Sequence, residues 1–186
     1  MNSVSFSFLK TCANGDCEHM EKLLIQDKFK QHHKIGIIYL TTQGASIAAQ
    51  YGNVGILKIL LSNGIKYDYS ATLARAACGG HVDCVEFLLN LDLNTENKHN
   101  IRTALYEACN EGHIDIVDLL LNYKNSSHIF DLYEALKIAI TKWNLTIVDK
   151  LIVYGANYHK LTDDDISKIT CTKILDRIKS VRGDSY

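Results

Sequence analysis

The chain of 186 residues contains no proline, only one tryptophan and no long hydrophobic run. Without proline, the turns must be formed by the 11 glycines and by Asn and Asp. No stretch approaches the roughly 18 apolar residues that span a bilayer, so no membrane partner is expected. Residues 1–10 have no basic residues before their apolar patch and no convincing cleavage site, which argues against a secretory signal.

An excess of charge of one sign is missing as well. The chain has 20 Lys and Arg against 21 Asp and Glu, a formal net charge of -1. Non-specific nucleic-acid binding needs a strong positive field, so no nucleic-acid partner is expected. Hydrophobic residues at 47% and charged residues at 22% are typical of a folded protein and exclude disorder throughout.

A pattern of small and apolar residues occurs five times along the chain. Each copy has two small or apolar residues, then a glycine position three residues later, then two apolar pairs. The third copy, for example, runs Ala76-Ala77, Gly80, Cys84-Val85 and Leu88-Leu89. The five glycine positions are Gly15, Gly52, Gly80, Gly112 and, with the glycine lost, Trp143. A stacked unit of two short helices is the economical explanation of this pattern.

The position after each glycine has a predicted role in the turn between the two helices. Glycine ends the first helix in the left-handed conformation, where a Cβ would be strained. The next residue is predicted to cap the second helix, and in chain order it is Asp16, Asn53, His81, His113 or Asn144. At Trp143, either the first helix ends differently or the turn is strained.

The third and fourth copies, residues 71–81 and 103–113, resemble the ankyrin repeat, whose consensus runs from Thr-Pro-Leu-His through Ala-Ala to Gly-His. The consensus proline is never present, and the opening histidine is replaced by Ala74 and Tyr106. The resemblance implies an all-α solenoid of about five stacked helix-turn-helix units with short hairpin loops. It also implies that His81 and His113 brace the turn between the helices.

The resemblance covers about residues 6–160 and divides a single ankyrin-repeat domain, 1–186, into repeats. The predicted repeats are 6–37 (a degenerate N-terminal cap), 43–70, 71–99, 103–132 and 134–160, followed by a capping helix and tail, 161–186. A helix start is predicted at Thr162–Asp165. The interval 28–43 is predicted to be a longer loop with a strand-like end at Ile35–Tyr39, and 65–70 a tight connection.

The family implies protein binding through the concave surface, with contacts from the loop tips and from the residues just before each glycine. The implied contact residues are Gln50, Tyr51, Tyr67, Tyr69, Arg102, Asn110, Glu111, Thr141 and Lys142. Residues 88–94 also resemble the ankyrin segment in which an asparagine is hydroxylated, which makes Asn94 a candidate modification site; a structural asparagine is the stronger interpretation.

No catalytic motif is present, so the chain is not expected to be an enzyme. The six cysteines lack zinc-ligand spacing, and Cys12, Cys84 and Cys109 occupy positions where other copies hold small or apolar residues. We therefore expect no metal, no cofactor and an intracellular, reducing compartment (cytoplasm, or host cytoplasm if viral). A monomeric protein-binding scaffold with a protein partner of unknown identity is the favoured function.

Two other functions remain open. The first is an adaptor that recruits a target to a host ubiquitin-ligase or signalling complex, and the second, less favoured, is an enzyme or metal-binding protein. The composition, rich in Asn, Lys, Ile and Tyr and free of proline, resembles that of ankyrin proteins of giant DNA viruses of amoebae; amoebae, protozoa and intracellular bacteria are the other candidate sources.

Overall fold

The computed structural model describes residues 3–25, 34–91, 98–123 and 132–183. Over these ranges the chain forms twelve α-helices and one 3-10 turn, and it forms no strand. The helices are α1 Ser3–Asn14, α2 Cys17–Ile25, α3 Lys34–Gln50, α4 Val54–Ser62, α5 Tyr69–Gly79, α6 Val82–Asn90, α7 Lys98–Glu111, α8 Ile114–Asn122, α9 Leu132–Thr141, α10 Leu145–Val153, α11 Asp163–Ser167 and α12 Thr172–Arg182, with the 3-10 turn at Tyr158–Lys160.

The first ten helices form five pairs, and every pair turns at one of the five predicted glycine positions. The all-α fold of about five repeats is thereby confirmed, whereas the exact repeat boundaries stay predictions. The chain divides into two compact units, residues 1–104 and 105–186. In the first unit, the first helices α1, α3 and α5 pack on one another in order, as do the second helices α2, α4 and α6. In the second unit, α10 packs against α8, α9 and α12.

The core of each unit is the apolar stripe that the repeat predicts on the second helices. The following side chains of α4, α6, α8 and α10 have no exposed surface: Ile56, Leu57, Leu60, Cys84, Val85, Leu88, Ile116, Val117, Leu120, Ile147, Val148 and Leu151. The small pair at the end of each first helix is also buried, Ala48-Ala49 and Ala76-Ala77 being fully so. These small side chains let neighbouring first helices approach closely, so the repeat pattern describes the packing as well as the helices.

The fifth turn keeps the geometry of the others although it lacks glycine. At Gly80 the chain turns with φ 77, and the backbone N–H groups of Gly80 and His81 donate to carbonyls of α5. Trp143 has φ 59, and its N–H donates to the Ile140 oxygen at 3.0 Å. The first helix therefore ends in the usual way, and the second of the two predicted alternatives holds: the turn is strained. A left-handed residue with a Cβ costs about 1–2 kcal/mol.

The prediction of a long loop with a strand-like end is wrong where the structure describes it. Ile35–Tyr39 lies inside α3, which runs from Lys34 to Gln50. A short apolar run fits a strand and a buried helix equally well, and here it is continuous with the helix that carries Ala48 and Ala49. The start of the interval, residues 28–33, lies outside the described part of the chain.

The helix start predicted near residue 162 is confirmed. The Thr162 hydroxyl accepts from the Asp165 N–H, and the Asp165 carboxylate accepts from the Thr162 N–H, which together form a capping box for α11. Helix α12 follows, with Ile174 and Ile178 fully buried. Since α12 packs on α10 and on the 3-10 turn, it covers the apolar side of the last repeat.

The buried thiols lead to a test of the core. Burial raises the pKa of Cys12 and Cys109 to about 12 and that of Cys84 to about 11. Because the thiolate is the reactive form, these three thiols should resist iodoacetamide at pH 8, while the half-buried Cys17, Cys78 and Cys171 react first. Mass spectrometry after timed labelling measures the order, and equal rates for all six would contradict the packing. Unfolding in denaturant should remove the difference.

Candidate protein-binding surface

The residues predicted to contact a partner mostly lie at the ends of the first helices. Gln50 and Tyr51 follow one another at the end of α3, Asn110 and Glu111 at the end of α7, and Thr141 and Lys142 at the end of α9. The exposed members are Gln50, Tyr51, Glu111, Thr141 and Lys142, and Asn110 is half-buried. We call these six the turn-end residues; each of the three pairs follows directly on a buried pair of small or apolar residues.

The residue after the glycine holds successive repeats together in the first unit. The Asn53 amide donates to the Cys12 and Ala13 carbonyls at 2.9 and 2.8 Å, and so reaches the last turn of the preceding first helix. In the next repeat, His81 Nε2 lies 3.0 Å from the Gln50 oxygen, within hydrogen-bonding distance. His81 therefore contacts the end of the preceding first helix, and the bracing of its own turn stays a prediction.

The capping role predicted for the same positions holds only in part. Asp16 accepts from the His19 N–H at 2.9 Å, and Asn144 accepts from the Ile147 N–H at 3.2 Å. No side-chain cap is formed by Asn53, His81 or His113. The side chains of Asn53 and His81 are turned towards the preceding repeat instead, because its carbonyls lie within reach.

Three other predicted contact residues point partly into the protein. Tyr69 is the first residue of α5, and its hydroxyl donates to the Leu88 carbonyl. The Tyr67 hydroxyl is buried and, within the described ranges, has no hydrogen-bonding partner, and burial raises the pKa of Tyr67 to about 12. The Arg102 Nε is also buried and has no hydrogen-bonding partner among the described residues. These positions support the packing of their own unit; partner contact through them stays a prediction.

The second unit contains a groove that the repeat pattern does not predict. It has a volume of about 450 Å³ and lies between α9 with its turn and the segment around α11. Its lining residues are Lys137, Ile140, Thr141, Trp143, Leu161, Asp165, Lys168 and Thr170. The sequence carries one signal for the groove, because Trp143 is the single tryptophan and stands where the other turns have glycine. The repeat pattern marks that position only as a turn anomaly.

The charges along the groove are largely organised around Asp165. Its carboxylate accepts from the backbone N–H and the hydroxyl of Thr162 at 2.9 and 2.8 Å, and these bonds hold the pKa of Asp165 down at about 2. The Tyr133 hydroxyl donates to the same carboxylate at 3.2 Å, and Lys137 Nζ lies 3.5 Å from it. The nearby Asp165 charge raises the pKa of Lys137, so both groups are ionised at neutral pH.

Comparison with known families agrees with the paired helices and their left-handed turns. The family model described as ankyrin repeats (3 copies) matches residues 8–97 and 73–162, which is most of the chain. The chain belongs to the ankyrin repeat family. No curated protein sequence matches it. Solved structures do match, and one of them is the human ASB11 ankyrin repeat domain, with 18% identity, a TM-score of 0.47 and coverage of 92% of this chain and 96% of that chain.

Two further properties of the described part of this ankyrin repeat protein concern metal ions and membranes. No three His, Cys, Asp or Glu side chains gather there closely enough to hold a metal ion. None of the helices between residues 3 and 183 that the structure describes is long and apolar enough to cross a membrane. The candidate hydroxylation site, Asn94, lies outside the described residues.

Proposed function

We propose that this chain is a non-catalytic scaffold that binds a partner protein through the concave ankyrin surface, with the turn-end residues as the main contacts. Ankyrin repeats generally mediate protein–protein interaction, and the family match carries that general role to this chain. The supporting observation is a contrast at the second, fourth and fifth turns, where exposed Gln, Tyr, Glu, Thr and Lys side chains lie within two residues of a buried pair. Such positions can vary in sequence without loss of the fold.

Tyr51 is the strongest single candidate among the turn-end residues. Its side chain is 61% exposed, although tyrosine offers a large apolar surface. Tyrosine is among the residue types enriched at interface hot spots, where it fills a pocket of the partner. The Gln50 carbonyl beside it is fixed by His81, so the backbone under Tyr51 is held in place before a partner arrives.

Three substitutions test the surface. Tyr51→Ala removes an aromatic side chain, while Glu111→Arg and Lys142→Glu reverse charges, and none touches the apolar stripe. Each should change the free energy of unfolding by less than about 0.5 kcal/mol. Affinity for a partner should fall by roughly 1 kcal/mol or more for at least one variant. Calorimetry measures this once a partner has been isolated by pull-down from a eukaryotic lysate.

A control for these variants lies on the second helices. Glu86 is exposed on α6, so Glu86→Lys changes charge at a distance from the turn ends of the first unit. Binding should be unaffected by Glu86→Lys. If Glu86→Lys abolishes binding while the three turn-end variants bind normally, the site lies on the opposite surface and the proposal fails.

The same pull-down decides between scaffold and adaptor. Recovery of a ubiquitin-ligase core with the chain would support the adaptor, and recovery of a single target would support a scaffold or inhibitor. We also propose an intracellular, reducing location, supported by the three buried free thiols, and a source of the giant-virus type, supported by the proline-free composition. A monomeric state is part of the same proposal.

A further inference from the structure

The backbone conformation and the solvent exposure of Trp143 are both energetically unfavourable, and the packing of the second unit explains neither. It adopts φ 59 at a position where the four preceding turns have glycine, so its Cβ is strained. Its side chain is also 63% exposed, so most of its apolar surface is not buried within the protein. Strained residues of this kind cluster at ligand clamps and binding sites, where another contact compensates for them.

The charges near Trp143 favour a negatively charged ligand. The groove is lined by Lys137, Lys168 and Asp165, and Lys142, next to Trp143 in sequence, is exposed. The charge of Asp165 is already compensated by Lys137 and by hydrogen bonds. Lys168 pairs with Asp164, but their side chains are 69% and 71% exposed, and an exposed i,i+4 pair contributes little. A carboxylate entering the groove can therefore compete for Lys168.

The size of the groove favours a short segment of chain. A volume of about 450 Å³ lies in the range of pockets that hold small ligands and is too small for a folded domain. Ile140 and Leu161 supply apolar surface, while Thr141 and Thr170 can hydrogen-bond to a peptide backbone. An apolar side chain flanked by carboxylates would be complementary to this surface.

We propose that Trp143 anchors an acidic peptide segment of a partner protein in the groove of the second unit. The indole ring packs against an apolar side chain of the segment, and Lys142 and Lys168 pair with its flanking carboxylates. This inference rests on the proposed protein-binding function and specifies the chemistry of the partner at one end of the chain.

The single tryptophan allows a direct measurement, because all indole fluorescence of the chain comes from Trp143. Three end-capped ten-residue peptides serve as probes, alternating Leu with Glu, with Lys or with Ser. The acidic peptide should shift the emission to shorter wavelength and saturate, with at least about tenfold tighter binding than the other two. Added salt should weaken the binding of the acidic peptide, since salt screens the attraction between partly exposed charges. Equal affinities for all three peptides, or no binding of the acidic peptide at about 1 mM, would overturn the proposal.

Variants show whether Trp143 itself carries the binding. Trp143→Gly restores the residue of the other turns, so the fold should be retained, and anisotropy of a labelled acidic peptide replaces the lost fluorescence. A loss of at least about tenfold is expected for Trp143→Gly and for the double variant Lys142→Glu/Lys168→Glu. Val153→Ala, at a 79% exposed position of α10, is the matched control and should bind normally.

The failure of this inference can be distinguished from failure of the proposed function. If the isolated partner binds Trp143→Gly with unchanged affinity but binds Tyr51→Ala weakly, the acidic-groove proposal is wrong and the scaffold function stands. If Trp143→Gly and all three turn-end variants leave the affinity for every isolated partner unchanged, both proposals fail. Circular dichroism of Trp143→Gly confirms that the comparison is made between folded proteins.

Discussion

Leu88→Ala and Leu120→Ala are each expected to lower the free energy of unfolding by about 2–5 kcal/mol. Both leucines have no exposed surface. Leu88 belongs to α6 in the first unit and Leu120 to α8 in the second, at the same place in the repeat. Truncation leaves a cavity that the neighbouring helices cannot fill without breaking their own contacts, so the cost exceeds the loss of apolar burial alone. Denaturant titration followed by circular dichroism gives the values.

The control for the leucine variants is an exposed apolar residue of the same kind of helix. Val153 is 79% exposed at the end of α10, and Val153→Ala should change stability by less than about 0.5 kcal/mol. Less than about 1 kcal/mol for both leucine variants would mean that the stripe does not form the core, and would reject the register of the repeats.

The repeat pattern predicts most of the fold because each repeat uses the same local physics. The stripe that contains Val85 and Leu88 is buried as predicted, and all five turns lie where the glycine positions indicate. The failure at Ile35–Tyr39 has a local cause. Periodicity cannot separate a strand from a buried helix over five residues, and only the continuation to Gln50 decides for the helix.

The site is less predictable, because it depends on distances between elements that the repeat pattern does not contain. Asn53 and His81 have side chains suited to capping, yet they bond to the preceding repeat because its carbonyls lie within 3.0 Å. Tyr69 is placed near a loop tip by its sequence position, but its hydroxyl reaches the Leu88 carbonyl. The groove near Trp143 combines α9 with residues after the last repeat, whose packing periodicity does not describe.

Alanine at Gly52 is expected to be more destabilising than alanine at Gly64, although both glycines are left-handed, with φ +76 and +70. A Cβ at Gly64 would meet nothing within 4 Å, so Gly64→Ala should cost only the backbone strain, about 1 kcal/mol. A Cβ at Gly52 would lie 2.6 Å from His81 Nδ1. The imidazole must then move and give up its contact with the Gln50 carbonyl, for a total of about 2–4 kcal/mol.

The extra cost at Gly52 can be assigned to the His81 brace by a double-mutant cycle. In a His81→Ala background the added methyl group no longer meets the imidazole, so Gly52→Ala and Gly64→Ala should cost the same within about 0.5 kcal/mol. Chemical denaturation of the four variants and their parents supplies the cycle. Equal costs already in the native background would mean that the imidazole moves aside freely, and the hydrogen bond to Gln50 would then contribute nothing to holding the second and third repeats together.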